Sequence, residues 1–276
     1  MMSRLVDARP RTEPLIDTQI PHWARMWNYW LGGKDNYPVD RDAGDQALTI
    51  CPAIANDGRQ SRYVLARALR HLAGEVGIRR FIDVGVGLPT VDNTHEIVQR
   101  VAPDCQIIYV DNDPLVLSHA RALLISRPEG EVRVEDTDIR DAAAVKEILV
   151  DTRHLFGDGE PVAVVLANVL PYLPDDQARA LVDGLMAPLP HGSHLVISHP
   201  TGGDSWQQAM NQLKYAGAGE VVPRSPDQLA AFFNGLELLE PGVVSCSLWR
   251  PEPNPFGETP VVQQYAGVGR KLRSGT

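Results

Sequence analysis

The sequence has few cysteines, no long apolar run and no cluster of like charges, and each absence excludes a class of protein. The three cysteines, Cys51, Cys105 and Cys246, are far apart and form no CxxC pair, which favours reduced thiols over a disulfide framework or a zinc site. The longest aliphatic run, at residues 162–166, is far too short to span a membrane. The first residues contain no apolar segment typical of a signal peptide, so we expect a cytoplasmic protein without bound metal or membrane contact.

The charge balance is acidic. Lys and Arg total 26 against 35 Asp and Glu, a formal net charge of −9, and no basic block stands out along the chain. Proteins that bind a nucleic-acid backbone need clustered cations. The sequence therefore argues against a nucleic acid as partner and favours a neutral or cationic ligand.

The chain divides into three parts by composition and periodicity. We expect a flexible arm at 1–16, a helical extension or lid at 17–76, and a Rossmann-like domain at 77–276. In the extension, Trp23, Trp27 and Trp30 recur at helical spacing before Gly32 and Gly33. Such a stripe indicates core packing more often than a ligand cage.

After residue 77, short β-prone runs alternate with helical stretches, the pattern of a parallel sheet covered on both faces. Strands are predicted at 80–84, 106–111, 131–135, 162–167 and 194–199, and two β-prone segments follow at 236–249 and 261–268. Helices are predicted at 21–31, 61–75, 93–102, 114–126, 142–150, 175–187, 205–216 and 226–234. We therefore expect an α/β fold with a seven-stranded, mostly parallel sheet closed by an antiparallel C-terminal hairpin.

Candidate ligand-binding residues follow the predicted strands, because open parallel sheets bind ligands at the carboxyl ends of their strands. These residues are Asp83, Gly85, Gly87 and Pro89 after the first strand, Asp111 and Asn112 after the second, Asp138 and Ile139 after the third, and Asn168 after the fourth. The carboxylate of Asp111 could accept hydrogen bonds from both ribose hydroxyls. Asp138 could accept one from an adenine amine or could instead cap a helix, whereas Asp113 before Pro114 is typical of a helix N-cap.

The glycine loop alone does not identify the ligand, because nicotinamide, flavin and S-adenosylmethionine proteins share it. A dinucleotide site needs a third glycine and free backbone N–H groups for the pyrophosphate. Here Thr90 occupies the third position, Pro89 has no N–H, and Asp83 would repel a phosphate. S-adenosylmethionine carries a sulfonium and an ammonium and no phosphate, so the residues favour it over a nicotinamide cofactor.

Several segments resemble a bacterial S-adenosylmethionine-dependent methyltransferase family formerly listed as a domain of unknown function. The resemblance lies in IDTQIPHWARMWNYWLGGKDNYPVDRDAGDQ, FIDVGVGLPTVDNTHE, YVDNDPLVLSHARALL and GLELLEPGVV with WRP, and it spans about residues 16–270. It implies a class I methyltransferase fold with cofactor loops at 83–89, 111–112 and 138–139. It implies no acceptor, and we expect a small molecule. The chain departs from the family in one place, where Pro171 replaces a common histidine.

Catalytic and acceptor-binding residues are less well defined by the sequence. The polar GGKDNY segment has little core to serve, so Tyr29, Lys34, Asn36 and Tyr37 are predicted to contact the acceptor or close over the cofactor. Methyl transfer depends mainly on alignment, and a general base is optional. His199 and Tyr37 are the candidates for a base, although His199 more often would only cap a loop.

Other functions remain open at this level. One is a non-catalytic protein that binds S-adenosylmethionine as a signal, another is an enzyme that uses the same ligand for a different reaction, and a third is a nicotinamide-dependent oxidoreductase. His191, His194 and His199 do not form a metal site, because residues 194 and 199 face opposite sides of a strand.

Overall fold

A mixed sheet of eight strands forms the centre of the computed structural model, which describes residues 16–141, 144, 145, 148, 159–253 and 259–273. The strands are β1 Arg80–Val84, β2 Gln106–Asp111, β3 Glu131–Asp136, β4 Val162–Ala167, β5 His194–Pro200, β6 Leu236–Leu238, β7 Val244–Ser245 and β8 Gln264–Lys271. Their order is β3-β2-β1-β4-β5-β8-β6, and β7 pairs with β8. The first five strands are parallel, which confirms the predicted fold class.

The order of the strands determines where a ligand can bind. The chain proceeds outward from β1 through β2 to β3, then returns to place β4 and β5 on the other side of β1. A crevice opens at such a reversal, outside the carboxyl ends of the two adjacent strands. The loops that follow β1 and β4 therefore lie side by side.

The C-terminal edge differs in detail from the expected hairpin. The predicted segment 236–249 forms two short strands, β6 and β7, which pair with different parts of β8. Pro241 and Gly242 lie between them, and proline cannot donate to a strand ladder. The sheet consequently has eight strands where seven were predicted, and β8 runs antiparallel to β5.

Eight helices with described bounds cover the sheet and extend beyond it. They are α1 Trp23–Trp30, α2 Pro38–Ile50, α3 Ile54–His71, α4 Thr94–Val101, α5 Pro114–Leu123, α6 Asp175–Met186, α7 Asp204–Tyr215 and α8 Pro226–Ala231. Most of the predicted helix at 142–150 lies outside the described residues. Among the described helices, none combines the length and the apolar character needed to cross a bilayer.

Helix α2 was not predicted, because it buries small or charged residues in place of a large apolar stripe. Its buried residues are Asp40, Ala43, Gly44 and Ala47. Similarly, α3 begins seven residues before the predicted start at 61, in a polar stretch where Asp57 and Gly58 are buried. Hydrophobic periodicity does not detect helices of this kind.

Helix α3 of the extension packs on the sheet itself, where Val64, Leu65, Ala68 and Leu69 belong to one of the two face clusters. Helices α1 and α2 pack on the rest of the protein through a third apolar cluster. It joins Trp23, Met26 and Trp30 of α1 to Trp206 and Met210 of α7. The tryptophan stripe thus contributes to a core, as predicted. The next section shows that it also lines a cavity.

Candidate functional site

A cavity of about 640 Å³, here called the main cavity, lies at the carboxyl ends of the parallel strands. Seven of the nine residues predicted to contact a cofactor line it: Gly85, Gly87, Asp111, Asn112, Asp138, Ile139 and Asn168. Loops that are far apart in the sequence therefore converge on one space. Sequence reasoning did not identify several other lining residues, among them Ser61, Arg62, Thr137, Val169 and Tyr172.

The loop after β1 depends on its two glycines. Gly85 and Gly87 have φ of +70° and +64°, a region that side chains with a Cβ rarely adopt. A Cβ on Gly85 would also lie 2.5 Å from Cγ2 of Val169, whereas one on Gly87 would meet no atom within 4 Å. Gly85 is thus required for both its conformation and its close approach to the loop after β4.

Asp111 holds this loop against the end of β2. Its Oδ2 accepts a hydrogen bond from the Gly87 N–H at 3.1 Å, and its Oδ1 accepts from the N–H groups of Asn112 and Asp113 at 2.9 and 3.0 Å. Burial raises the pKa of Asp111, while these three donors favour the charged form. A carboxylate has about four acceptor positions. One therefore remains, so Asp111 can accept one ribose hydroxyl without releasing the backbone, not the two that its position in the sequence suggested.

Asp138, for which the sequence left both an adenine contact and a helix cap open, is paired with a neighbouring arginine. Its oxygens accept hydrogen bonds from the Arg140 guanidinium at 2.6 to 3.1 Å, and this partner lowers the pKa of Asp138. Both residues line the main cavity. An adenine amine would therefore share the carboxylate with Arg140.

Asp83 and Pro89 are the two predicted cofactor residues that do not line the main cavity. Asp83 is 5% exposed and accepts a hydrogen bond from Thr94 Oγ1 at 2.6 Å. Burial raises its pKa to about 6, because the charged form loses its hydration. Asp83 therefore lies beneath the glycine loop and fastens it to α4.

Helix α1 closes the main cavity from the side of the extension. His22 at its N-cap and Trp23, Ala24, Trp27, Asn28 and Leu31 line the cavity. His22 Nε2 lies 3.2 Å from Oδ2 of Asp113, and Trp27 Nε1 donates to the hydroxyl of Tyr172 at 3.0 Å. These two contacts join the extension to loops of the Rossmann-like domain across the cavity.

The residues predicted to act in the lid, Tyr29, Lys34, Asn36 and Tyr37, do not line the main cavity. Tyr29 lies on the side of α1 that faces α2 and donates its hydroxyl hydrogen bond to Asp45 at 2.6 Å. Asn36 donates to Oδ1 of Asn28 at 2.9 Å, and the side chain of Lys34 is exposed. Tyr37 is the N-cap residue of α2, and its backbone N–H donates a hydrogen bond to Oδ2 of Asp40. The GGKDNY segment thus folds around Asn28 and serves the connection between two helices.

His199, the other candidate for a base, is fully buried and does not line the main cavity. Its Nδ1 donates to the carbonyl of Pro200 at 2.8 Å, and its Nε2 accepts from Arg224 at 2.8 Å. Burial and, to a lesser extent, the neighbouring guanidinium lower the pKa of His199 to about 3. Both ring nitrogens are occupied, so this histidine braces a turn and cannot accept a proton from a ligand in the main cavity.

The described residues contain no group of three His, Cys, Asp or Glu side chains that could hold a metal ion. The main cavity is instead lined by carboxylates, glycines, apolar rings and hydrogen-bonding side chains. Its charged lining consists of four acids, Asp111, Asp113, Asp138 and Glu220, and two arginines, Arg62 and Arg140, of which Arg140 is paired with Asp138. This lining suits an organic ligand that carries positive charge.

Comparisons with known proteins agree with this arrangement. A family model described as S-adenosyl methyltransferase matches residues 9–272. The chain is 39% identical to a putative methyltransferase from Thermobifida fusca, with a TM-score of 0.83 and coverage of 96% of this chain and 100% of the other. It is 36% identical to a DUF574 family protein from Streptomyces avermitilis, with a TM-score of 0.85 and coverage of 93% and 100%.

More distant structures share the fold alone. An O-methyltransferase family protein from Burkholderia thailandensis is 14% identical, with a TM-score of 0.52 over 90% of this chain and 76% of its own. No curated protein sequence matches the chain.

Proposed function

Because the chain belongs to the S-adenosyl methyltransferase family, we propose that the main cavity holds S-adenosylmethionine and that a small-molecule acceptor is methylated beneath helix α1. Membership in the family makes the protein an S-adenosylmethionine-dependent methyltransferase of class I fold. One observation supports the location above all others. The glycine loop at Gly85, the carboxylate of Asp111 and the loop at Asp138 line a single cavity.

The size and donor set of the main cavity fit this cofactor. A volume of about 640 Å³ falls in the range of roughly 300 to 1,000 Å³ typical of cofactor sites. The Gly85 N–H donates to the Val110 carbonyl and the Gly87 N–H donates to Asp111, so neither is free for a pyrophosphate. The acidic lining favours a ligand with a sulfonium and an ammonium.

Individual residues have separate tasks in this proposal. Asp111 accepts one ribose hydroxyl, and Ile139 packs against the base beside the Asp138 and Arg140 pair. Arg62, which donates to the Asp92 carbonyl at 2.7 Å, lines the main cavity and is suited to the carboxylate of the amino-acid part. The cofactor, when bound, supplies a methyl group on a positively charged sulfur.

The protein contributes alignment and the exclusion of water. Displacement at a methyl carbon requires the attacking atom, the carbon and the sulfur to lie in line. Trp23 and Trp27 cover the main cavity with apolar rings, and Trp27 is fixed by its hydrogen bond to Tyr172. A wall of this kind restricts both the position of the acceptor and the access of water.

Calorimetry tests the proposal. We expect S-adenosylmethionine and its demethylated product to bind with Kd of about 1 to 100 μM, and NAD not to bind. Asp111→Ala should weaken binding at least about tenfold, equivalent to 1.4 kcal/mol, because it removes the ribose acceptor and the bond to Gly87.

The matched control is Asp104→Ala. Asp104 is exposed, lies just before the amino end of β2, and pairs only with Arg79 among the described residues. Its affinity for the cofactor should equal that of the wild type. Binding of NAD in place of S-adenosylmethionine, or equal losses in the two variants, would contradict the proposal.

A further inference from the structure

A second, much smaller cavity adjoins the main one, and we call it the aromatic chamber. Its walls are the rings of Trp23, Trp27, Trp30, Trp206 and Tyr172. Its polar lining consists of Asp57, Asn168 and Gln264. Four of these residues, Trp23, Trp27, Asn168 and Tyr172, also line the main cavity. A group in the aromatic chamber therefore lies directly against the wall of the proposed cofactor site.

Three buried polar atoms of the residues that line the aromatic chamber lack a hydrogen-bond partner among the described residues, two acceptors and one donor. The donor, Nε1 of Trp23, lies 4.0 Å from the Cβ position of Gly219, a residue that lines the main cavity and not the aromatic chamber. Gln264 is 2% exposed, and its buried Oε1 has no hydrogen-bond partner among the described residues. The buried Oδ1 of Asn168 likewise has none there, because the amide of Asn168 is held by its Nδ2 bond to Ser61 at 2.8 Å. Buried polar atoms are nearly always paired in folded proteins. Two orphaned oxygens on one small cavity therefore indicate a ligand that donates hydrogen bonds.

Asp57 fixes the charge that such a ligand should carry. Asp57 is 5% exposed, and among the described residues a backbone N–H from Gln263 donates a hydrogen bond that favours its charged form. Unlike an amide, an ionised carboxylate can only accept hydrogen bonds. An anionic ligand would be repelled here, and an apolar one would offer the buried carboxylate no hydrogen bond beyond that from Gln263.

The aromatic walls add a second reason for positive charge. The faces of Trp and Tyr rings attract ammonium groups, and the attraction grows when water is excluded. Arg and Lys are absent from the lining of the aromatic chamber as described, so no side chain of that kind competes for the site.

The volume limits the size of the group. The aromatic chamber measures about 20 Å³, and one water needs about 10 to 15 Å³ on this scale. An ammonium group, which is about the size of a water molecule, fits in this space, and the methyl group of methylammonium would project from it. The remainder of an acceptor would have to extend toward the main cavity.

From this geometry we propose that the aromatic chamber is the acceptor subsite and that it takes the amino group of an amine substrate. The inference rests on the proposed function for the identity of the second substrate. It names the chemical class of the acceptor as a small amine whose ammonium group is recognised by Asp57, Gln264 and the surrounding rings. An ammonium nitrogen has no lone pair to attack the methyl group, so it serves for recognition, and the atom that is methylated belongs to the part of the acceptor that extends toward the main cavity.

Nuclear magnetic resonance of the tryptophan side chains tests the proposal directly. The full chain, labelled with nitrogen-15, is titrated with methylammonium chloride, and the indole signals are assigned by single Trp→Phe variants. We expect saturable shifts for Trp23, Trp27, Trp30 and Trp206 in the millimolar range. Trp249, which does not line the aromatic chamber, should not shift. Potassium chloride should produce none of these shifts, and methanol, which is neutral, should bind at least about tenfold more weakly.

Two variants separate charge from packing. Asp57→Asn retains the size of the side chain and should weaken methylammonium binding at least tenfold. Gln264→Leu removes an orphaned acceptor with little change in volume and should also weaken methylammonium binding, which tests the subsite independently of Asp57. Asp45→Asn, at an exposed carboxylate of α2, is the matched control and should bind as the wild type does.

The same samples are examined by calorimetry with S-adenosylmethionine. If the wild type binds this cofactor but methylammonium shifts no chamber signal, or shifts them no more than methanol does, the chamber holds only water and the inference is wrong while the proposed function stands. If the cofactor does not bind, the proposed function fails, and the methylammonium titration still decides whether the aromatic chamber binds amines.

Discussion

The main cavity and the aromatic chamber share one wall but are built by different means. The main cavity is formed largely by loops at strand ends, where glycine conformation and backbone hydrogen bonds decide the shape. The aromatic chamber is formed largely by side chains from α1, α3, α7 and β8, together with Asn168 and Tyr172 from the segment after β4, and these meet only after the extension has packed on the sheet. The first is therefore a property of the Rossmann-like framework, and the second depends on how a separate helical layer is attached to it.

This difference explains why the two spaces suit different ligands. A cofactor common to many enzymes needs a site that a few loops can supply, and those loops recur at the ends of parallel strands. An acceptor specific to one enzyme needs a site assembled from variable side chains. Placing the acceptor wall on an added layer lets its shape change without altering the loops that bind the cofactor.

The largest expected effect would remove the distinction between the main cavity and the aromatic chamber. It comes from a change that loosens the attachment of helix α1, which forms the wall that the two cavities share. Asp40 is fully buried and binds the Arg25 guanidinium as well as the N–H groups of His22 and Tyr37, at 2.8 to 3.0 Å. Asp40→Asn would leave the buried Arg25 without its counter-charge, at a cost of about 3 to 5 kcal/mol in the free energy of unfolding. Urea denaturation measures it.

The control on the same helix is Asp45→Asn. The exposed Asp45 side chain binds only the Tyr29 hydroxyl among the described residues, so this change should lower the free energy of unfolding by less than about 1 kcal/mol. A loss below about 1 kcal/mol for Asp40→Asn as well would show that Asp40 does not hold the two helices together.

The next effect should be confined to the main cavity. Gly85→Ala combines a strained backbone with an overlap of Val169, together about 2 to 4 kcal/mol, whereas Gly87→Ala has the backbone strain alone, about 1 kcal/mol. We expect Gly85→Ala to weaken S-adenosylmethionine binding at least about tenfold more than Gly87→Ala. Calorimetry on the two variants makes the comparison, and equal losses would mean that the approach to Val169 does not shape the site.

The smallest expected effect comes from a change in the aromatic chamber, and it should raise the free energy of unfolding where the previous changes lower it. Burial raises the pKa of Asp57 from its ordinary value of 3.8 to about 6, so ionised Asp57 destabilises the folded state. The penalty grows as the pH rises between these two values and is complete above about pH 6. Asp57→Asn should therefore raise the free energy of unfolding by about 2 to 3 kcal/mol at pH 8 and change it little at pH 4.

Denaturation of Asp57→Asn and the wild type at both pH values checks this expectation, with Asp45→Asn expected to show no such dependence on pH. If Asp57→Asn were destabilising at pH 8, the carboxylate would be paired in the folded protein, and the aromatic chamber would not need a cationic ligand. A more stable variant that binds amines poorly is typical of a group retained for function at the expense of stability.

Much of the sheet could be predicted because its strands are buried β-rich runs with polar or glycine residues at their ends. β1, β2 and β4 begin and end where the sequence placed them, and the residues at their carboxyl ends line one cavity, as the topology of parallel strands requires. The partners of those residues could not be predicted. Arg140 on Asp138 and the backbone donors on Asp111 reduce what each carboxylate can offer, and no pattern in the sequence signals them.

The extension was harder to read, because its helices bury unusual residues. A polar GGKDNY segment suggested a ligand contact, yet it folds around Asn28, and Gly33 approaches that side chain so closely that a Cβ would overlap it. The tryptophan stripe suggested a core, yet Trp27 faces both cavities. A helical wheel gives the relative directions of side chains but not which neighbour each direction will meet.

By itself, the sequence determined the α/β fold, the strand-end loops that line the main cavity and the kind of cofactor. These follow from local β propensity, from glycines at the ends of strands and from the charge of a few strand ends. Tertiary packing decided which faces of α1 and α3 reach the cavities, that His199 is sealed behind Arg224, and that Asp57 lies among aromatic rings. The physical reason is that the burial and pairing of a polar side chain depend on contacts between distant segments, which no local pattern specifies.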